Sequence, residues 1–204
     1  MNNQTLLLTL AAATLCSAAN ASITSADWRD DGDGALVCKT WNWDSTSATL
    51  SMTGDQYSAP GHMVGWVTTD SSTDPTLTLG SEVDNDTGFS WTGFRVNVYM
   101  SGPFTLSAAN VTLPTDWTLT SVVAPTFNGS QYEGTILYSG PDPIAVGQDI
   151  DFGYQLSFSG ATSFEFTQEM IPIGAVPEPG SFGLIGGLAL CAVAVRRISA
   201  LSNP

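Results

Sequence analysis

The sequence predicts an all-β fold, an antiparallel β-sandwich of jelly-roll or immunoglobulin-like type, on three observations. Charged residues make up only 12% of the 204 residues, while 20 Gly and 11 Pro stand among many Ser and Thr, a composition that suits short strands and turns better than helices. Between residues 22 and 175 apolar side chains recur with period two, the mark of strands that bury one face. Turn-forming clusters separate these runs, and none of the runs has the three-four spacing of an amphipathic helix. A chain of this length closes one core, so residues 22–175 are read as one domain between two end segments.

The first end segment, residues 1–21, has the form of a secretory signal peptide. Leu6, Leu7, Leu8, Leu10 and Leu15 with the alanines between them form a short apolar run, and Ala19 and Ala21 supply the small side chains a signal peptidase accepts. This places the cut before Ser22. The positive charge that usually precedes such a run is supplied here by the α-amino group of Met1 alone. Cys16 does not make a lipoprotein signal, because Leu15 stands where a small residue is needed. With Cys16 removed and Cys191 in an apolar tail, Cys38 is the one cysteine of the domain, so no internal disulfide is available and the core carries the stability.

Along the domain, the first feature is an acidic run, Asp27, Asp30, Asp31 and Asp33, broken by Gly32 and Gly34. Asp84, Asp86 and Gly88 make a second acidic turn. Such stretches read as solvated turns in which Asp caps its own backbone, and Ca²⁺ is the ion that their oxygen ligands would take as a structural cofactor. Neither fits the ligand spacing of an EF-hand loop. Trp41 and Trp43 then share one face of a strand. Leu50 and Met52, Leu77 and Leu79, and Phe94, Val96, Val98 and Met100 continue the alternation. Trp117, Leu119 and Val123 follow it loosely. It returns at Tyr132, Ile136 and Tyr138, runs unbroken from Ile150 to Phe158, and ends at Phe164, Phe166 and Met170, giving about ten strands.

The second end segment, residues 176–204, has three parts in order. Val176, Pro177, Glu178 and Pro179 form a stiff extended stretch, since each proline fixes its own φ and biases the residue before it away from the helical region. Fourteen apolar residues, 182–195, make a transmembrane helix of about 21 Å, short against a hydrocarbon core of ~30 Å. Arg196 and Arg197 act as a basic stop that places the C-terminus in the cytoplasm and the domain outside the inner membrane.

In these residues the chain resembles the PEP-CTERM family of exported bacterial proteins, whose C-terminal signal joins a Pro-Glu-Pro motif, a membrane stretch and a basic cluster. The match consists of Val176 to Pro179, the 182–195 span, and Arg196 with Arg197, about the last thirty residues, together with a signal peptide at the other end. The resemblance implies an exosortase-like membrane peptidase as partner, an inner-membrane intermediate, delivery to the cell surface or extracellular matrix, and an exopolysaccharide setting.

Little in the domain points to catalysis. His62 is the one histidine, which leaves a serine or cysteine hydrolase without its usual base and zinc without a closed set of ligands. A glycosidase pair would have to come from Glu82, Glu133, Glu165 and Glu169, and spacing selects no two of them. A net charge of −14 excludes nucleic acid as a partner. Trp28, Trp41, Trp43, Trp66, Trp91 and Trp117 read mostly as core, with a sugar-stacking patch as the alternative use. Asn85, Asn110 and Asn128 open glycosylation triplets. The expected protein is a non-catalytic envelope, surface or matrix protein. A lectin-like module for exopolysaccharide is the alternative, and a carbohydrate-active hydrolase is a second one.

Overall fold

In a computed structural model, residues 21–108, 113–114 and 116–174 are described. They form eleven strands, among them β1 (Ile23–Asp30), β2 (Leu36–Asp44), β3 (Thr49–Gln56), β4 (Gly61–Thr69), β5 (Thr76–Asn85) and β6 (Trp91–Met100). The rest are β7 (Phe104–Ala108), β8 (Thr118–Phe127), β9 (Tyr132–Ile144), β10 (Asp149–Phe158) and β11 (Ser163–Gly174). A six-stranded sheet has the order β1-β4-β11-β6-β9-β8, and a five-stranded sheet the order β2-β3-β5-β10-β7. The all-β, two-sheet expectation therefore holds.

The expectation of purely antiparallel pairing does not hold throughout. β3 and β5 run parallel, from Thr49 opposite Thr78 to Gln56 opposite Asn85. The cause is the strand between them: β4 crosses to the other sheet, so the chain returns to β3 pointing the same way. The remaining pairs are antiparallel.

The core lies between the sheets and is built by the alternating positions. Phe94, Val96 and Val98 of β6, Ile136 and Tyr138 of β9, and Phe166 and Met170 of β11 point inward from one sheet. Leu50 and Met52 of β3, Leu77, Leu79 and Val83 of β5, and Phe152, Tyr154 and Leu156 of β10 meet them from the other. Each large side chain removed from water contributes about 1.5–3 kcal/mol. Phe152 bridges the layers, its ring 5.1 Å from that of Phe94 and 5.7 Å from that of Tyr138.

Two buried polar contacts fix how the sheets face each other. The Tyr138 hydroxyl donates to the Gly153 carbonyl at 2.8 Å, and the Tyr154 hydroxyl donates to Gln168 Oε1 at 2.6 Å. At one end of the sandwich Asn85 is fully buried, donating through Nδ2 to the carbonyls of Phe89 and Ile144. Its Oδ1 accepts from the Thr87 N–H and hydroxyl, and Trp91 Nε1 donates to Thr87 Oγ1 at 2.9 Å. The 86–90 turn is thus closed by its own side chains.

Candidate functional site

The outward positions of β2, β3, β5 and β10 form an open groove of about 520 Å³ across the five-stranded sheet. Pleating and register determine its lining. Ser51 lies opposite Gly80, Thr53 opposite Glu82, and Glu82 opposite Asp151. The floor is low because its central residues are small: a Cβ added at Gly80 would meet only the Ser51 Cβ, at 3.9 Å. On the β2 side the groove is bordered by Thr40 and Asn42, while Trp41 between them pairs with Met52 and so projects from the opposite face of the sheet, 46% exposed at its edge. The Thr40 and Thr53 hydroxyls lie 2.7 Å apart, in one hydrogen bond that either can donate.

On the β10 side the groove is acidic. Burial pushes the Glu82 carboxyl up from its ordinary value, and the charges of Asp151, Asp149 and Asp84 push the same way. Asp151 is pushed up by burial and by Asp149. Among the described residues neither Glu82 nor Asp151 has a cation within ion-pair distance. The next row differs. Asp55 lies opposite Asp84, and Lys39 bridges them, at 3.1 Å from Asp84 Oδ2. Burial opposes ionisation of Asp55, but the Lys39 ammonium prevails and holds it below its ordinary value.

A second polar centre lies on the outer face of the six-stranded sheet. His62 of β4, Glu169 of β11, Asn97 of β6 and Thr135 of β9 stand in one row. Thr135 Oγ1 donates to Asn97 Oδ1 at 2.9 Å, and Asn97 Nδ2 and the Tyr99 hydroxyl each donate to Glu169 Oε2 at 2.7 Å. Burial works against the Glu169 charge, yet these two donors and His62 hold its carboxyl below the ordinary value. His62 Nε2 lies 3.6 Å from Glu169 Oε1, and on its other side Nδ1 lies 3.2 Å from Asp31 Oδ2 and 4.0 Å from Asp33 Oδ2.

Of the predicted calcium residues, the fold brings Asp31 and Asp33 together and adds His62 as the third donor. Asp30 accepts the Cys38 N–H at 2.8 Å, and Asp27 lies in β1 opposite Trp66. Asp31 accepts the Asp33 N–H and Asp33 the Ala35 N–H, the self-capping expected of an acidic turn. An imidazole nitrogen beside two carboxylates suits a transition ion better than Ca²⁺. In the second acidic turn Asp84 belongs to the Lys39 bridge.

The other expected residues are distributed as follows. Glu165 accepts from Trp66 Nε1, Glu133 from Asn128 Nδ2, and Glu169 belongs to the row above, so of the four glutamates Glu82 alone lines the groove. Trp28, Trp91 and Trp117 are core, whereas Trp43 and Trp66 are half-buried. Burial and the Asp30 charge push the Cys38 thiol up, away from a nucleophile's range. Asn85 is buried with its amide engaged, which closes that triplet to a sugar. Ala21 N–H donates to the Thr73 carbonyl, and Ser22 N–H to Asp70 Oδ1 at 2.8 Å, so the residues on both sides of the expected cut pair with the 70–73 turn. Ala19, Val176, Pro177, Glu178, Pro179, Arg196, Arg197, Asn110 and the 182–195 span lie outside the described residues.

Asp151 escaped the sequence reading. The signal was its phase: Asp149 and Asp151 occupy the polar positions of the β10 alternation, as Glu82 and Asp84 do in β5. Compared with known proteins, the chain matches no family model, no curated protein and no solved structure.

Proposed function

We propose that the chain is a non-catalytic protein exported to the cell surface or extracellular matrix, and that its domain binds polysaccharide there. The groove supports the binding role: a concave floor of small hydroxyl side chains flanked by Glu82 and Asp151 offers the several polar partners that the hydroxyls of a sugar need. The scaffold is taken as a sandwich of the jelly-roll or immunoglobulin kind, whose faces leave room for such a site. The enzyme alternative is less well supported. Glu82 and Asp151 are directly opposed on adjacent strands and project from one face, whereas glycoside hydrolysis needs its two carboxyl groups on either side of the scissile bond.

The export route rests on the ends of the chain. Residues 1–21 direct secretion, signal peptidase cuts before Ser22, and residues 176–204 hold the protein in the inner membrane until an exosortase-like peptidase acts near Val176 to Pro179. Glu178→Ala with Pro179→Ala should leave the uncut protein in the inner membrane, read by fractionation and intact mass in the native host. A mature surface protein that retains Arg196 and Arg197 would make the tail a permanent anchor and refute the sorting route. Binding is tested on a glycan array with Gly80→Thr, which fills the groove floor, as control. An array blank for every glycan would leave an inert matrix protein.

A further inference from the structure

We infer that Asp31, Asp33 and His62 form a binding site for a divalent transition-metal ion, zinc before others, which fastens the turn between β1 and β2 to the start of β4. One ligand atom from each of the three lies within 4.8 Å of the other two. His62 Nδ1 is 3.2 Å from Asp31 Oδ2 and 4.0 Å from Asp33 Oδ2. Donors bound to one zinc at ~2.0–2.2 Å stand roughly 3–3.5 Å apart. Asp31 and His62 already hold that spacing, and Asp33, the most exposed of the three, has only to close toward them.

Two observations outside the acidic turn point to an ion rather than to solvated carboxylates. The first is the state of His62. Its Nδ1 is closed to solvent and makes no hydrogen bond among the described residues, in spite of the nearby Asp31 oxygen. Buried polar atoms are hydrogen-bonded as a rule, so an exception needs a cause. Metal ligation is such a cause, because a ligating nitrogen uses its lone pair and carries no hydrogen. The second is what stands behind the ring. Nε2 faces Glu169 Oε1 at 3.6 Å, and Glu169 Oε2 is held at 2.7 Å by both Asn97 Nδ2 and the Tyr99 hydroxyl. A fixed carboxylate behind the far nitrogen orients a metal-binding imidazole and sets its tautomer, which makes Glu169 a positioning residue.

The donor set selects the ion. Asp31 and Asp33 each use Oδ1 to accept a backbone N–H, from Asp33 and Ala35, which leaves Oδ2 of each for the site. Among the described residues no lysine or arginine lies within ion-pair distance of either. Ca²⁺ takes about six to eight oxygens, and Asp27 and Asp30, which would add them, are placed elsewhere. One nitrogen and two oxygens suit zinc, with water at the remaining position. β1 belongs to the six-stranded sheet and β2 to the five-stranded one, so the turn that holds Asp31 and Asp33 is a crossing between the sheets. An ion shared with His62 ties that crossing to β4.

The test is titration of the full chain, purified in detergent without a histidine tag and stripped by a chelator, with Zn²⁺ and with Ca²⁺. It is read by calorimetry, thermal melts and nitrogen NMR of the imidazole. His62 is the one histidine of the chain, so its two ring signals report the site without any substitution. One Zn²⁺ per chain should bind, shift the Nδ1 signal while Nε2 keeps its proton, and raise the melting temperature by roughly 5–10 °C at about a hundred-fold excess over Kd. Ca²⁺ should bind more weakly. His62→Gln should abolish the response, and so should Asp31→Asn with Asp33→Asn, which keeps the Oδ1 caps of the turn. Glu169→Gln should weaken zinc by about ten- to a hundred-fold at unchanged stoichiometry. Asp27→Asn, in the same acidic run, should leave the affinity as it was. Zinc binding that survives His62→Gln, or that leaves the ring signals unmoved at saturation, would put the ion on the thiols or on a loose acidic stretch and overturn the inference. Ca²⁺ bound as tightly as Zn²⁺ would overturn it too. Failure of the unsubstituted chain to bind zinc would leave His62 an ion-paired histidine and no metal ligand.

Discussion

Replacing Tyr154 by Phe tests how the two sheets are held in register. The Tyr154 hydroxyl is fully buried and donates to Gln168 Oε1 at 2.6 Å, and Gln168, also fully buried, has only a 3.4 Å contact from its Nε2 to Ser81 Oγ besides. Removing the hydroxyl loses one net hydrogen bond, about 1 kcal/mol, and strands an acceptor where water does not reach, at about 1–3 kcal/mol. The expected cost is ~2–4 kcal/mol, a fall in melting temperature of roughly 4–16 °C for a domain of this size. Tyr154→Phe with Gln168→Met removes both partners, keeps the shape and strands no acceptor on β11. The double variant should therefore be more stable than Tyr154→Phe alone, by about 1 kcal/mol or more in denaturant titrations. A single cost under ~0.5 kcal/mol, or a double variant as unstable as the sum of the singles, would show that this contact does not determine the packing of the layers.

The same protein offers further checks. Gly65→Ala would place a Cβ 2.2 Å from the Phe166 ring, so a loss of ~2–3 kcal/mol is expected, part of it regained with Phe166→Leu in a thermal melt. The two outer faces should respond oppositely to pH. Glu82 and Asp151 are raised above ordinary values of 4.5 and 3.8, so the fold holds protons that the open chain has released, and their contribution is lost as pH rises through that range. At neutral pH Glu82→Gln should then stabilise by a few tenths of a kcal/mol, given its exposure. Glu169 is held below 4.5, its contribution is present above that value and lost as pH falls beneath the lowered one, and Glu169→Gln should destabilise by ~1 kcal/mol at pH 7 and by less in acid. Melts of the two variants at neutral and acid pH separate these signs. Residues 22–175 alone should give a soluble protein with a β-type circular dichroism spectrum, and a helical or disordered spectrum would refute the domain boundaries.

The strands were legible wherever one face is apolar without interruption. The runs through Phe94, Val96 and Val98 and through Phe152, Tyr154 and Leu156 point into the core as alternation requires. β4 was harder to see because two of its inward positions are Gly61 and Gly65, which carry no side chain to alternate. The parallel β3–β5 pair depends on which sheet β4 joins, a choice that no local pattern records. The site was less legible than the fold. Glu82 was a candidate, but its neighbour Asp151 comes from a distant strand and meets it only through the β5–β10 register. Trp41 and Trp43 share the face of Met52 and Leu50, yet β2 lies at a sheet edge, so Trp43 is half-buried while Trp41 is left 46% exposed.

The position of β11 has a consequence for how the chain reaches this state. The last strand to be synthesised lies in the middle of the six-stranded sheet, paired with β4 on one side and β6 on the other. Until residues 163–174 arrive, that sheet exists as two pieces, β1-β4 and β6-β9-β8, each with a bare edge able to pair with another chain. Partial chains therefore cannot complete that sheet early, and completing it requires bringing β11 back to partners far away in sequence. This order suits the export proposed above, because the strand that locks the sheet is also the last part of the domain to follow.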